Sequence, residues 1–211
     1  IEKNRIKIEA GDIQGANHGL ASLLQLIMTA KDAQLPVLTI QDKPAFGYRG
    51  LMLDCARHFW TVDELKETLD HMAFFKLNTL HMHLTDNQAW RLSMDKYPDL
   101  VKEGTYYYDF PELSGKYYSK EDLKEIVTYA GTRGIEIIPE VDLPGHSIAL
   151  LAALPELSCR GGKFEATPEE RDWNKRKRGN ENMICIGNPQ SFAFAEDVID
   201  ALIEIFPSQY I

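Results

Sequence analysis

Three apolar runs, at 48–55, 77–84 and 135–141, each end in a cluster of charged or polar residues, with helical stretches between them. This repeat constrains the fold more than any other feature. The first run closes on Asp54-Cys55-Ala56-Arg57-His58. The second closes on His83-Leu84-Thr85-Asp86, and the third on Glu140-Val141-Asp142-Leu143-Pro144-Gly145-His146. Between them, 61–75 opens with Thr61 and Glu64 at capping-box spacing. The stretch 119–134 opens with Ser119 and Asp122 in a similar pattern and reaches Gly134, a residue suited to ending a helix. Strands alternating with helices, the third strand apolar along most of its length, specify an α/β fold with a parallel sheet covered by helices. Two closed solutions compete, a doubly wound open sheet and a (β/α)8 barrel. No Gly-rich phosphate loop follows any strand, which counts against the nucleotide-binding form of the open sheet. Polar residues at every strand end suit the C-terminal rim of a barrel. A barrel usually takes about 250 residues, whereas 48–211 holds three strands and the onset of a fourth. The expected architecture is the first half of a (β/α)8 TIM barrel, reaching strand 4.

The flanking segments follow other rhythms. From Arg5 onward the chain alternates polar and apolar, with Ile6, Ile8 and Ala10 on one face, the period of a half-buried strand. A turn at 11–15 leads to a helix at 17–29 with Leu20, Leu23, Leu24 and Ile27 on one side. Residues 1–35 thus read as the tail of a small α+β domain, and 36–47, with Pro36 and Pro44 around a short strand at 37–40, as a linker. Residues 97–118 form a long aromatic loop, and 155–182 a polar insertion rich in glycine and charge. A helix at 191–206 carries Phe194, Val198, Leu202, Ile205 and Phe206 on its apolar side, and Tyr210-Ile211 opens the next strand. A chain that starts within one strand and stops within another reads as an excerpt of a longer protein.

Charge and hydropathy remove several function classes. With 32 acidic against 23 basic residues the formal charge is -9, which repels nucleic-acid phosphates and anionic membrane surfaces. Mean hydropathy is -0.31. The longest uncharged stretch, 13–30, is broken by Gln14, Asn17, His18 and Gln25, so it does not make the roughly 20 apolar residues of a membrane span. Three cysteines make no disulfide framework and do not fall at zinc-ligand spacings.

Several strand-end residues carry possible chemistry. Arg57 can hold sugar hydroxyls or a carboxylate through its planar fork of donors, or form an ion pair with neighbouring Asp54; position leaves both open. Asp86, in Thr85-Asp86-Asn87, is also a turn or cap residue by type. Pro144-Gly145 makes a sharp turn that aims His146 across the strand ends. Glu140 and Asp142 share one face of their strand, where two carboxylates either raise a pKa by repulsion or bond separate backbone groups. His81 and His83 point the same way and, with His58 or His146, could bind a metal, which makes a metal-dependent barrel hydrolase a rival reading on a pair of low specificity. Tyr106-Tyr107-Tyr108, Phe110, Tyr117 and Tyr118 either stack on sugar faces or pack their loop.

Taken together, 48–59, 76–91 (with His81-Met82-His83-Leu84-Thr85-Asp86-Asn87-Gln88-Ala89-Trp90-Arg91) and 138–146 resemble glycoside hydrolase family 20, the β-N-acetylhexosaminidases. Residues 15–26 resemble the end of the small α/β domain preceding the barrel in that family, so the likeness spans essentially the whole chain. It implies removal of non-reducing terminal N-acetylglucosamine or N-acetylgalactosamine with retention, by substrate-assisted catalysis without cofactor or metal. Arg57 is implied to bind the sugar 3- and 4-hydroxyls, and Asp86 and His146 to form a supporting pair beside the acid. Glu140 and Asp142 are implied to have structural or supporting roles. Asn87 departs from the family, which commonly has a second aspartate there. The catalytic Asp-Glu pair is expected just beyond Ile211, which would leave the chain alone inactive. The partners implied are N-acetylhexosamine-terminated glycans and the remaining half of the barrel. A non-catalytic carbohydrate-binding or interaction module is the alternative from another functional class. The resemblance also raises a Cys159–Cys185 disulfide, which would favour a periplasmic or extracellular setting; Cys55 reads as a free, packed thiol.

Overall fold

A computed structural model describes residues 1–105, 111–162 and 182–211. The chain is an α/β structure around a three-stranded parallel sheet in the order β1-β2-β3, formed by Gly50–Asp54, Thr79–Thr85 and Glu136–Val141. Helix α2 (Val62–Phe74) returns the chain from β1 to β2, and α4 (Lys120–Gly131) returns it to β3 after the short helix α3 (Asp99–Lys102). Helix α1 (Ile13–Thr29) precedes the sheet, and α5 (Ile148–Ala153) and α6 (Pro189–Ile205) follow it.

Local chemistry sets these boundaries. Thr61 and Ser119 cap α2 and α4, and each capping box is complete, with Glu64 and Asp122 bonding back to the cap backbone. Both helices end alike: Leu77 N–H donates to Met72 O at 2.8 Å, and Ile135 N–H to Ala130 O at 3.1 Å. The residue before each is left-handed, Lys76 at φ 60° and Gly134 at φ 69°. Glycine takes that conformation freely, whereas lysine costs about 1–2 kcal/mol there. The apolar faces meet in one core that includes Leu65, Leu69 and Met72 of α2, Leu80, Met82 and Leu84 of β2, Leu123 and Ile126 of α4, and Phe194, Val198 and Leu202 of α6. Tyr118 is buried there, stacks on Phe59 at 4.7 Å and donates its hydroxyl to Trp60 O at 2.6 Å.

Several expectations need correction. Residues 6–10 and 37–40 are irregular rather than strands; the N-terminal stretch makes a bridge between Glu2 and Arg5, and Ile1 and Leu38 exchange backbone bonds at 2.8 and 3.2 Å. A strand period gives ladder bonds only where a partner strand is in register. Tyr210-Ile211 is irregular too. Helix α1 begins four residues early, because Asp12 accepts from Gly15 N–H and caps it. The short apolar helix α5, nearly all of it buried, has no counterpart among the expected elements. Tyr106, Tyr107, Tyr108 and Phe110, and 163–181 of the polar insertion, lie outside the described residues. Among the described residues no helix is long and apolar enough to cross a membrane.

Candidate active site at the strand ends

The strand register builds the site. It aligns Asp54 with His83 and His83 with Glu140, so these three side chains stand in a row across the C-terminal ends of β1, β2 and β3. An irregularity between His83 and Thr85 then lets β2 turn out toward Asp86. Asp54 Oδ1 accepts from the backbone N–H groups of Ala56 and Arg57 at 3.1 and 2.9 Å, which folds the chain back after β1 and directs Arg57 over the rim.

Asp86 is the hub. Its side chain is 2% exposed, and four donors reach its two oxygens. Oδ2 accepts from Arg57 Nη2 at 2.5 Å and lies 3.0 Å from His83 Nε2. Oδ1 accepts from Asn87 N–H at 2.6 Å and lies 3.0 Å from His146 Nδ1. An ionised carboxylate only accepts, so both imidazole nitrogens carry their protons toward it. Burial alone would raise the Asp86 pKa, but the bonds from His83, His146 and Asn87 and the charge of Arg57 outweigh it and hold the carboxyl below its usual value. Arg57 and His146 stay accessible, with side chains 44% and 43% exposed. The arrangement is a buried anion presenting two exposed polar groups, Arg57 from β1 and His146 from the loop after β3.

The candidates read from the sequence separate accordingly. Arg57, Asp86 and His146 converge on one cluster. Arg57 also makes the ion pair expected of a structural arginine, with Nη1 2.6 Å from Asp54 Oδ2, so the two readings of this residue coexist. His146 sits at φ 50° after Pro144-Gly145, and that backbone turn carries its ring to Asp86. Glu140 and Asp142 diverge: Glu140 faces His81 and His83 at 2.6 and 2.9 Å, while Asp142 Oδ2 lies 3.9 Å from His146 Nδ1. Asn87 is buried, and its Oδ1 accepts from Ile148 N–H at 3.3 Å, tying the start of α5 to the strand-end loop. Tyr118 packs the core, while Tyr117 is partly exposed.

The metal reading of the histidine pair loses its geometry. His81 and His83 converge on Glu140, and His58 turns its ring onto Trp60 at 4.9 Å between centroids. Asp86, Asp142 and His146 do bring one donor atom each within 4.8 Å of one another. The Asp86 oxygens, however, are already taken by four N–H donors, and His146 Nδ1 gives its proton to one of them. The cluster is a hydrogen-bond network, not a ligand set.

Arg91 is a residue that sequence reasoning missed. It is fully buried, donating through Nε and Nη2 to Ala56 O at 3.3 and 3.1 Å and through Nη1 to Leu113 O and Lys116 O at 2.9 and 2.7 Å. It clamps the backbone just before Arg57 to the loop ahead of α4. Only its place beside the apolar Ala89-Trp90 hinted at burial. Cys159 and Cys185 are paired in a disulfide, and Cys55 is a buried free thiol whose pKa burial pushes up to about 12.

The model of glycosyl hydrolase family 20, catalytic domain, matches residues 46–211. A β-hexosaminidase of Porphyromonas gingivalis is 38% identical over 99% of this chain and 27% of its own length. A β-hexosaminidase of Vibrio furnissii is 35% identical over all of this chain and 35% of its own length. Among solved structures, a family-20 exo-β-N-acetylglucosaminidase from Vibrio harveyi, in complex with N-acetylglucosamine, aligns with a TM-score of 0.84 and 34% identity, covering 99% of this chain and 34% of that one. The chain therefore spans about a quarter to a third of the length of these relatives.

Proposed function

The chain belongs to glycosyl hydrolase family 20, and on that premise we propose that its strand-end cluster is the supporting, sugar-holding side of a β-N-acetylhexosaminidase site. In this reading 48–211 supplies the N-terminal half of a (β/α)8 barrel, opened by β1, β2 and β3 and preceded by the end of a small α/β domain (1–35) and a linker (36–47). The substrate is a glycan ending in N-acetylglucosamine or N-acetylgalactosamine.

The observation that carries the proposal is the convergence of Arg57 and His146 on the buried Asp86 at the ends of parallel strands. Arg57 is oriented by Asp54 and Asp86 through Nη1 and Nη2, and its exposed fork can meet adjacent sugar hydroxyls. Held by Asp86, His146 orients a proton-donating carboxylic acid and tunes its pKa. That acid protonates the leaving oxygen while the substrate's own 2-acetamido oxygen attacks the anomeric carbon, with retention. The attacking atom is tethered to the ring, so no protein nucleophile is required. We place the Asp-Glu pair outside these 211 residues. The one Asp-Glu doublet here is Asp63-Glu64, and Glu64 is engaged in the capping box of α2. The Cys159–Cys185 bridge supports a periplasmic or extracellular setting.

The test is release of p-nitrophenol from p-nitrophenyl N-acetyl-β-glucosaminide and the matching galactosaminide. The 211-residue chain is expected to release none, and a longer gene product that includes the Asp-Glu pair is expected to be active. Arg57→Ala in that product should raise KM and lower kcat/KM by about 100-fold. Hydrolysis by the 211-residue chain, or full activity of the Arg57 variant, overturns the assignment.

A further inference from the structure

His83 faces a second carboxylate that its bond to Asp86 does not use. With Nε2 3.0 Å from Asp86 Oδ2, its Nδ1 lies 2.9 Å from Glu140 Oε1. That second approach is off-line for a hydrogen bond, and among the described residues nothing else bonds this buried nitrogen. A neutral imidazole has one N–H and one lone pair. With the proton on Nε2, the Nδ1 lone pair faces the Glu140 carboxylate. With the proton on Nδ1, the Nε2 lone pair faces Asp86. Each neutral tautomer therefore leaves one nitrogen of a ring that is only 6% exposed as an acceptor beside a carboxylate, where opposed polar groups are costly. Only the doubly protonated ring both donates to Asp86 and sets a positive charge against Glu140.

The surrounding charges favour the same state. Asp54 stands beside His83 on β1 and Glu140 on β3, and Asp86 and Asp142 bring the local carboxylates to four. Against them stands the fixed cation Arg57, with His81 2.6 Å from Glu140 Oε2 and His146 on Asp86. Burial opposes a charge on His83, yet the hydrogen bond to Asp86 and the negative charge of Glu140 outweigh it, and its pKa stands above the usual histidine value.

Resting on the reading of this rim as the supporting side of a hexosaminidase site, we propose that His83 is an imidazolium bridge between Asp86 and Glu140 and thereby a positioning residue. Together with Arg57 it pins Asp86 Oδ2, so that Oδ1 stays turned toward His146. Glu140 acts at one remove, keeping the bridge charged.

The experiment is nitrogen-15 NMR of the 211-residue chain labelled at histidine, titrated through neutral pH. Both ring nitrogens of His83 should carry protons at neutral pH, so the midpoint should lie on the alkaline side of neutrality. Glu140→Gln, which leaves the ring and Asp86 in place, should lower that midpoint. His83→Ala should abolish the protected Nδ1–H signal of His146, and His83→Gln, whose amide reaches Asp86 from nearly the same point, should restore it. A single neutral tautomer at neutral pH, an unchanged midpoint in Glu140→Gln, or an intact His146 signal in His83→Ala overturns the proposal. Should His83→Ala not fold, the Glu140→Gln titration decides alone. No arm requires sugar cleavage, so a failure of the hydrolase assignment would show in the p-nitrophenol assay and leave this result standing.

Discussion

Leu65, Leu69, Leu80, Leu84 and Ile126 are fully buried between the sheet and helices α2 and α4, whereas Leu20 and Ile27 of α1 remain 55% and 51% exposed. The apolar stripe of α1 is as regular in sequence as that of α2. Residues 1–12 and 34–47 around it carry no strand of three or more residues, so it meets no continuous apolar layer. It packs against α2 with only Ala21 buried, and polar bonds add to that contact: Gln25 Nε2 donates to Phe74 O at 2.7 Å, and Gln14 Nε2 to Gly134 O at 3.2 Å. Amphipathic spacing decides which face is available for burial. A second layer decides whether burial happens.

Two arginines put the contrast to its strongest test. Arg91 and Arg49 both grasp backbone carbonyls, Arg91 in the dry core and Arg49 at the junction with α1, bonding Lys76 O and Phe46 O at 2.7 Å each. Arg91→Met should cost about 3–5 kcal/mol in urea unfolding, because it orphans buried carbonyls. Arg49→Met should cost about 1 kcal/mol, because water can replace its bonds. Equal losses would break the distinction. Next in size, Leu69→Ala should destabilise by about 2–4 kcal/mol, and Leu24→Ala should stay within about 0.5 kcal/mol. A large effect at Leu24 would mean that α1 is covered in solution. Smaller again, Thr61→Ala should lower global stability by about 1 kcal/mol through loss of its cap. Asp12→Ala should instead speed amide exchange within α1 while leaving β2 unchanged.

The smallest effect is a difference of sign between two histidines. His83 has a raised pKa in the folded chain, so its contribution is complete below about 6.5 and is lost as pH rises through the folded value. His18 is shifted the other way. Partial burial, then the nearby charges of Arg49 and Lys76, lower its pKa, and Arg49 Nη2 lies 3.1 Å from its Nε2. Its contribution is present above about 6.5 and is lost as pH falls toward the folded value. Hydrogen exchange followed against pH should therefore show α1 loosening on mild acidification, while the strand-end cluster loosens on the alkaline side. His18→Gln should remove the first trend and His83→Gln the second; a shared direction would refute the assignment.

Much of this was legible locally. The cap pairs Thr61/Glu64 and Ser119/Asp122 specify their helices because the bonds involved span three residues. The three strand positions followed from apolar runs bounded by helices, and Arg57, Asp86 and His146 stood out as polar residues at strand ends. The expected strands at 5–10 and 37–40 failed because alternation describes a face, not a partner. Arg91 was illegible because its acceptors lie 22 to 35 residues away in sequence.

By itself the sequence determined where helices start, which strands follow one another, and which side chains arrive at the strand ends, since short-range bonding and periodicity settle those matters. Only the tertiary structure decided that His83 stands between Asp54 and Glu140, and that Arg57 and His146 from two distant segments join the local donors His83 and Asn87 on Asp86. Parallel strands acquire their register through helical connections and core packing, so neighbours across the sheet are chosen by the whole fold.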